Sequence, residues 1–108
     1  MNLRLAKDPQ FERDLEIQFE WYEVNARPGV SDRFLSAVFL SLQELLRQPE
    51  LGRVRRFRNE RLRGFRSWIV GDPFDRLLLF YRIEGDLLVV KRLLHGARNL
   101  PRRLSETS

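Results

Sequence analysis

The sequence predicts an α+β domain of order β-α-α-β-β-β, an antiparallel sheet with a helical hairpin packed on one face. Three observations carry that prediction. Residues Leu77–Ile83 and Leu87–Leu94 are almost continuously apolar over strand length, the pattern of strands covered on both faces. Glu84-Gly85-Asp86 separates them, and Gly85 can take the positive φ that a tight hairpin needs. Upstream, two longer segments repeat their apolar residues at helical spacing and are joined by a Pro28-Gly29 link.

Taken in order, Leu3-Arg4-Leu5 alternates apolar and charged, the mark of a short edge strand. Asp8-Pro9 supplies an N-cap and a first helical residue. Phe11, Leu15, Phe19 and Tyr22 then form one apolar row, with Ile17, Trp21 and Val24 beside it, and Glu12, Arg13, Glu16, Glu20 and Glu23 on the reverse. The turn chemistry of Asn25 to Gly29 ends this helix. A second helix starts near Ser31, with Asp32 in its first turn, where a negative charge suits the dipole. Its rows are Phe34, Val38 and Leu45, then Leu35, Phe39, Leu42 and Leu46, and it stops before Pro49. Neither helix buries its stripe alone, so the pair is expected to lie on the sheet. Leu51 to Gly64 is a basic segment in which Val54, Phe57 and Leu62 serve as anchors, read as a loop with room for a short strand. Phe65–Gly71 is the next strand, and Asp72-Pro73-Phe74-Asp75 is its turn. Phe34, Val38, Phe39, Leu42, Leu79, Tyr81, Val89 and Leu93 are the expected core positions.

A chain of 108 residues supports one domain, here expected over 1–100, with 101–108 a flexible C-terminal tail. The absence of cysteine excludes disulfides, thiol catalysis and cysteine-bound zinc, and a single histidine excludes paired-histidine metal motifs. No metal or other cofactor is expected. No apolar stretch approaches the roughly 20 residues of a membrane helix, and the N-terminus lacks the form of a signal peptide, which gives a cytoplasmic expectation. The net charge is +5, and all basic residues except Lys7 and Lys91 are arginine. Such a bias fits an acidic partner or nucleic acid, and equally a set of solvated surface arginines.

His95 is the one side chain whose ordinary titration lies near neutrality, hence the one ready acid–base candidate. Arg92 and Arg98 flank it as candidate phosphate ligands, and an RNA-cleaving site would add Tyr81, Arg66 and Arg82. The competing reading is a hydrogen-bonded structural histidine at a strand end. For the arginine run 53–66, tracking a phosphate backbone competes with a solvated loop, and Trp68 is read as a core residue sharing a strand face with Val70.

The ending FYRIEGDLLVVKRLLHGARNL resembles the closing motif of ParE toxins in the RelE/ParE superfamily of toxin–antitoxin modules, through Tyr81, Gly85, Asp86, Arg92, His95, Gly96, Ala97, Arg98 and Leu100. Pro49 and Gly52 match the family's Pro-x-x-Gly after the second helix, and Asp14-Leu15 with Trp21-Tyr22 fit its first helix. Asn99 departs from the usual Asp, which removes a charge beside Arg98. The resemblance implies the RelE/ParE-like fold, a growth-inhibiting toxin that binds DNA gyrase, and an acidic, ParD-like antitoxin as partner. The expected partner- and target-binding set is Arg66, Arg82, Arg92, His95, Arg98 and Asn99, and no catalytic residue is expected. The ribosome-dependent mRNA endonucleases of the superfamily use a Lys, Arg and C-terminal Tyr cluster, whereas this chain has no Tyr after Tyr81. An endonuclease is therefore the second reading and a non-catalytic nucleic-acid-binding module the third.

Overall fold

The computed structural model describes residues 2–96. Strand β1 (Arg4–Lys7) leads into α1 (Pro9–Asn25) and α2 (Val30–Arg47). A single 3-10 turn at Pro49–Leu51 precedes β2 (Arg53–Val54), and another at Glu60–Leu62 precedes β3 (Arg66–Ile69). β4 (Leu77–Glu84) and β5 (Leu87–His95) complete a five-stranded sheet of order β1-β5-β4-β3-β2. Among the described residues no helix is long and apolar enough to cross a membrane.

Local chemistry accounts for the helix boundaries. Asp8 sits in extended backbone and its carboxylate accepts from the Gln10 N–H at 2.8 Å, with Pro9 as the first helical residue. Gly29, at φ +90°, turns the chain between the helices and stands at the N-cap of α2. The hairpin after β4 closes where Glu84 pairs with Leu87, and Gly85 takes φ +61°.

The meander of β3, β4 and β5 is antiparallel, as the sequence predicts. The sheet as a whole is mixed, because β1 runs parallel to β5, from Arg4 opposite Leu87 to Lys7 opposite Val90. A three-residue alternation carries no information on direction, and it is the return of the chain through two helices that sets β1 alongside the last strand. The short strand β2 pairs with β3 at Arg53–Ser67 and Val54–Arg66. Between β4 and β5 the register slips by one: Phe80 faces Arg92 while Tyr81 faces Val90, so Lys91 is the extra residue of a bulge.

Both helices cover one face of the sheet. Phe11, Phe34, Val38 and Leu42 meet Val70, Phe74, Leu77, Leu79, Val90 and Leu93, and Leu45 meets Tyr81 and Leu88 farther along. The other face holds a smaller cluster of Leu62, Phe65, Phe80 and Leu94, roofed by the basic segment through Phe57 and Leu62. Of the expected core residues, Phe39 is misplaced: it is 58% exposed, whereas Phe34, Val38, Leu42, Leu79, Tyr81, Val89 and Leu93 are buried. Helix α2 sets its buried apolar residues, Phe34, Val38, Leu42 and Leu45, against the core, and Phe39, about 100° around from Val38, faces outward with Leu35 and Leu40. The Ile17, Trp21 and Val24 row of α1 is exposed in the same way.

Candidate functional site

Two strand arginines fasten the basic segment to the sheet. Tyr81 on β4 is fully buried, and its hydroxyl donates to the Pro49 carbonyl at 2.5 Å and accepts from the Gly52 N–H at 2.9 Å. Arg66, opposite Tyr81 on β3, donates to the Gly52 carbonyl at 2.8 Å and the Glu50 carbonyl at 3.2 Å. The far end of the segment is held by Arg82, which donates to the Arg61 and Arg63 carbonyls at 3.3 Å each. The same guanidinium lies 5.1 Å from the Phe65 ring centroid and pairs with Glu84 at 2.9 Å. Burial pushes the Tyr81 phenol above its ordinary value, against the Gly52 hydrogen bond and the charge of Arg66. Arg66 and Arg82 are thus braces for residues 50–63, engaged with main-chain oxygens.

Arg92 has a different task from the one its neighbours in sequence suggest. Its side chain is 6% exposed and forms a two-pronged pair with Asp14 of α1, Nε to Oδ2 at 2.7 Å and Nη2 to Oδ1 at 3.0 Å. Asp14 Oδ2 also accepts the Leu93 N–H at 2.9 Å. β1 pairs with β5 only as far as Val90, so Asp14 serves main-chain and side-chain donors of β5 beyond the point where β1 ends. Arg92 is thus enclosed between β5 and α1, where it pairs with Asp14. Sequence reasoning passed over Asp14 as a functional partner, although a carboxylate on the same helical row as Phe11 and Leu15 was a visible signal that something basic lies across from it.

His95 ends β5, exposed, opposite Leu77. It borders a cleft of about 250 Å³ lined by Ile17, Trp21, Tyr22, Phe74 and Arg76. Tyr81 and Arg82 lie four and five residues along β4 from Leu77, and at about 3.4 Å per residue this puts them roughly 14–17 Å from the His95 end. An RNA-cleaving constellation of His95, Tyr81, Arg66 and Arg82 is therefore not assembled. Arg98 and Asn99, together with the expected tail 101–108, lie outside the described residues. Among the described residues no group of three or more His, Cys, Asp or Glu side chains converges to hold a metal.

The geometry can be set beside known proteins. Residues 6–100 match the family model described as the ParE toxin of the type II toxin–antitoxin system, parDE. A comparison with curated protein sequences finds no significant match. Among solved structures, the fold is similar to a chain of the chromosomal ParDE toxin–antitoxin system from P. aeruginosa, with a TM-score of 0.72 and 14% identity over 89% of this chain and 98% of that one. It is similar also to a chain of the E. coli DinJ-YafQ toxin–antitoxin complex, with a TM-score of 0.60 and 13% identity over 93% and 99%. A copper-bound mutant toxin from Helicobacter pylori follows, with a TM-score of 0.52 and 17% identity over 91% and 99%. Identities this low speak to the fold alone; the family rests on the match over residues 6–100, in which the Pro49, Gly52 and Tyr81 lock and the Asp14–Arg92 pair both lie. The chain belongs to the ParE toxin family of type II toxin–antitoxin systems.

Proposed function

We propose that this toxin inhibits growth in the cytoplasm by binding, with DNA gyrase as its target, and that an acidic, ParD-like antitoxin neutralises it. The observation that carries the first half is the separation of His95 from the braced arginines. The only side chain that ordinarily titrates near neutrality borders an apolar cleft, roughly 14–17 Å from Tyr81 and Arg82. General acid–base cleavage needs those groups within hydrogen-bond reach of one reacting atom. In a binding mechanism His95 shapes the end of β5, and Arg98 and Asn99 beyond it supply contacts to the target.

The antitoxin half is supported by the exposed apolar rows of the helices. Ile17, Trp21 and Val24 on α1, with Leu35, Phe39 and Leu40 on α2, leave apolar surface uncovered on a domain of net charge +5. An amphipathic acidic segment that folds on this hairpin would bury those rows, and the charge would speed its capture. The association rate is expected to fall as salt rises from low to physiological ionic strength.

The deciding experiment measures supercoiling by purified gyrase and mRNA integrity in induced cells, for the parent and His95→Gln. Inhibited supercoiling that survives His95→Gln supports the binding mechanism. Unimpaired supercoiling, together with ribosome-dependent mRNA cuts that vanish in His95→Gln, would replace it with an endonuclease, since losing a general acid or base costs about 10²–10⁴-fold in rate.

A further inference from the structure

The arginines that the braces leave free make a second surface. β2 is only two residues long, and the ladder continues one step through the Arg55 N–H, which donates to the Phe65 carbonyl at 2.9 Å. Arg53 and Arg55, two apart on extended chain, therefore project from the same face as Ser67 and Ile69. That is the face of the sheet away from the helices. Here the structure has a groove of about 450 Å³ lined by Leu51, Arg53, Arg55, Ser67, Trp68 and Ile69.

Both guanidiniums line the groove, and no acid lines it with them. Arg55 is fixed over the Phe57 and Phe80 rings at 5.8 and 5.9 Å, and reaches the Ser67 hydroxyl at 3.5 Å. Burial first, and then the charge of Arg53, lower its affinity for a proton below the ordinary guanidinium value. Among the described residues none of Arg53, Arg55, Arg56, Arg58 and Arg61 has a carboxylate within ion-pair distance; in this segment only Arg63 does, with Glu60 at 3.6 Å. Meanwhile Ile69 is 56% exposed at the groove, and β2 ends before it can cover that part of β3.

We propose that this groove, with Arg53 and Arg55 in its lining and three more arginines following in the chain, binds single-stranded nucleic acid without sequence preference, independently of the toxin's target. Five unpaired cations within nine residues match a polymer with one negative charge per monomer better than a peptide whose acids are intermittent. The apolar floor beside the cations accommodates an unstacked base, which a single strand offers and a duplex conceals. The Arg55 guanidinium, pre-set by its two rings, loses little freedom on meeting a phosphate.

The test is fluorescence anisotropy of a labelled poly-dT or poly-rU oligonucleotide titrated with the full chain over a range of salt concentrations. The log–log salt slope is expected to flatten by about 1.4 in Arg53→Ala/Arg55→Ala, at about 0.7 per phosphate contact, and by about half of that in Arg53→Ala alone. Arg53 is exposed, so the single variant reads the site even where the double variant loses its fold. Arg27→Ala/Arg33→Ala removes the same charge from exposed positions on the helical hairpin, Arg27 in the turn between the helices and Arg33 in α2, and is expected to leave the slope nearly unchanged. Equal loss in this control, or no binding by the parent, overturns the proposal. Duplex DNA binding as tightly as the single strand overturns it too. Displacement of the oligonucleotide by poly-glutamate at matched charge concentration would assign the groove to an acidic peptide instead.

Discussion

Removing one oxygen from Tyr81, or adding one carbon to Gly52, probes the contact that fastens the basic segment to the sheet. In Tyr81→Phe the buried Gly52 N–H loses its acceptor, while the Pro49 carbonyl, half-buried, can turn to water. A buried donor left unsatisfied costs about 1–3 kcal/mol, or about 4–8 °C of melting temperature per kcal/mol in a domain of this size. Gly52→Ala acts from the other side. The backbone there, φ −66° and ψ 144°, suits any residue, so the penalty is steric. An added Cβ would lie 2.2 Å from the Tyr81 hydroxyl oxygen and 2.6 and 2.7 Å from two of its ring carbons. The ring is fully buried against Leu45 and Leu88 and has nowhere to retreat. Overpacking together with the broken hydrogen bond is expected to cost about 2–6 kcal/mol. Tyr81→Phe in the Gly52→Ala background relieves the contact at 2.2 Å but not those with the ring carbons, so the two losses should fall short of additivity by about 1 kcal/mol or more. Urea unfolding of the four proteins measures the cycle. Gly52→Ala within about 0.5 kcal/mol of the parent, or strict additivity, would refute the lock.

Asp14→Asn removes the carboxylate that pairs with the enclosed Arg92 and accepts the Leu93 N–H, and is expected to destabilise by about 3–5 kcal/mol in the same urea assay, a loss far larger than that of an exposed pair such as Arg4–Asp86. Phe34→Ala should cost about 3–5 kcal/mol, whereas Phe39→Ala should stay within about 0.5 kcal/mol and instead weaken antitoxin binding, measured by calorimetry. For Glu84, burial acts to raise the carboxyl, but hydrogen bonds from Arg82 and Lys91 and their charges outweigh it and hold it below its ordinary 4.5. A depressed folded value means that this stabilisation is whole above pH 4.5 and fades as the pH falls toward the folded value, so Glu84→Gln should flatten that part of an acid melting curve.

Helix limits, the β4–β5 hairpin and the antiparallel meander were legible because each has a local cause: a capping Asp8, a Pro9, a turning Gly85, and apolar runs of strand length. The direction of β1 was not, since it depends on where two helices return the chain. Phe39 went astray for a related reason. Apolar spacing on α2 marks two neighbouring rows, and only the presence of α1 and the sheet on one side decides which row is covered. Pro49, Gly52 and Tyr81 were each visible as motif residues, but 32 positions separate Pro49 from Tyr81, and their union in one hydrogen-bonded contact appears only on folding.

The arginines mark the limit of sequence reading most clearly. Arg53, Arg66, Arg82 and Arg92 are chemically identical and lie within one basic stretch and the strands after it, so composition offers each as a surface cation. Their acceptors separate them. Arg92 faces a carboxylate contributed by a helix 78 residues away, Arg66 and Arg82 face carbonyls of the loop they brace, and Arg53 faces a groove with no acid in it. Braces and pairs of this kind consume positive charge in building the domain. What remains for a polyanion is the row from Arg53 to Arg61, and a partner-binding surface on this face has to be argued from those residues rather than from the net charge.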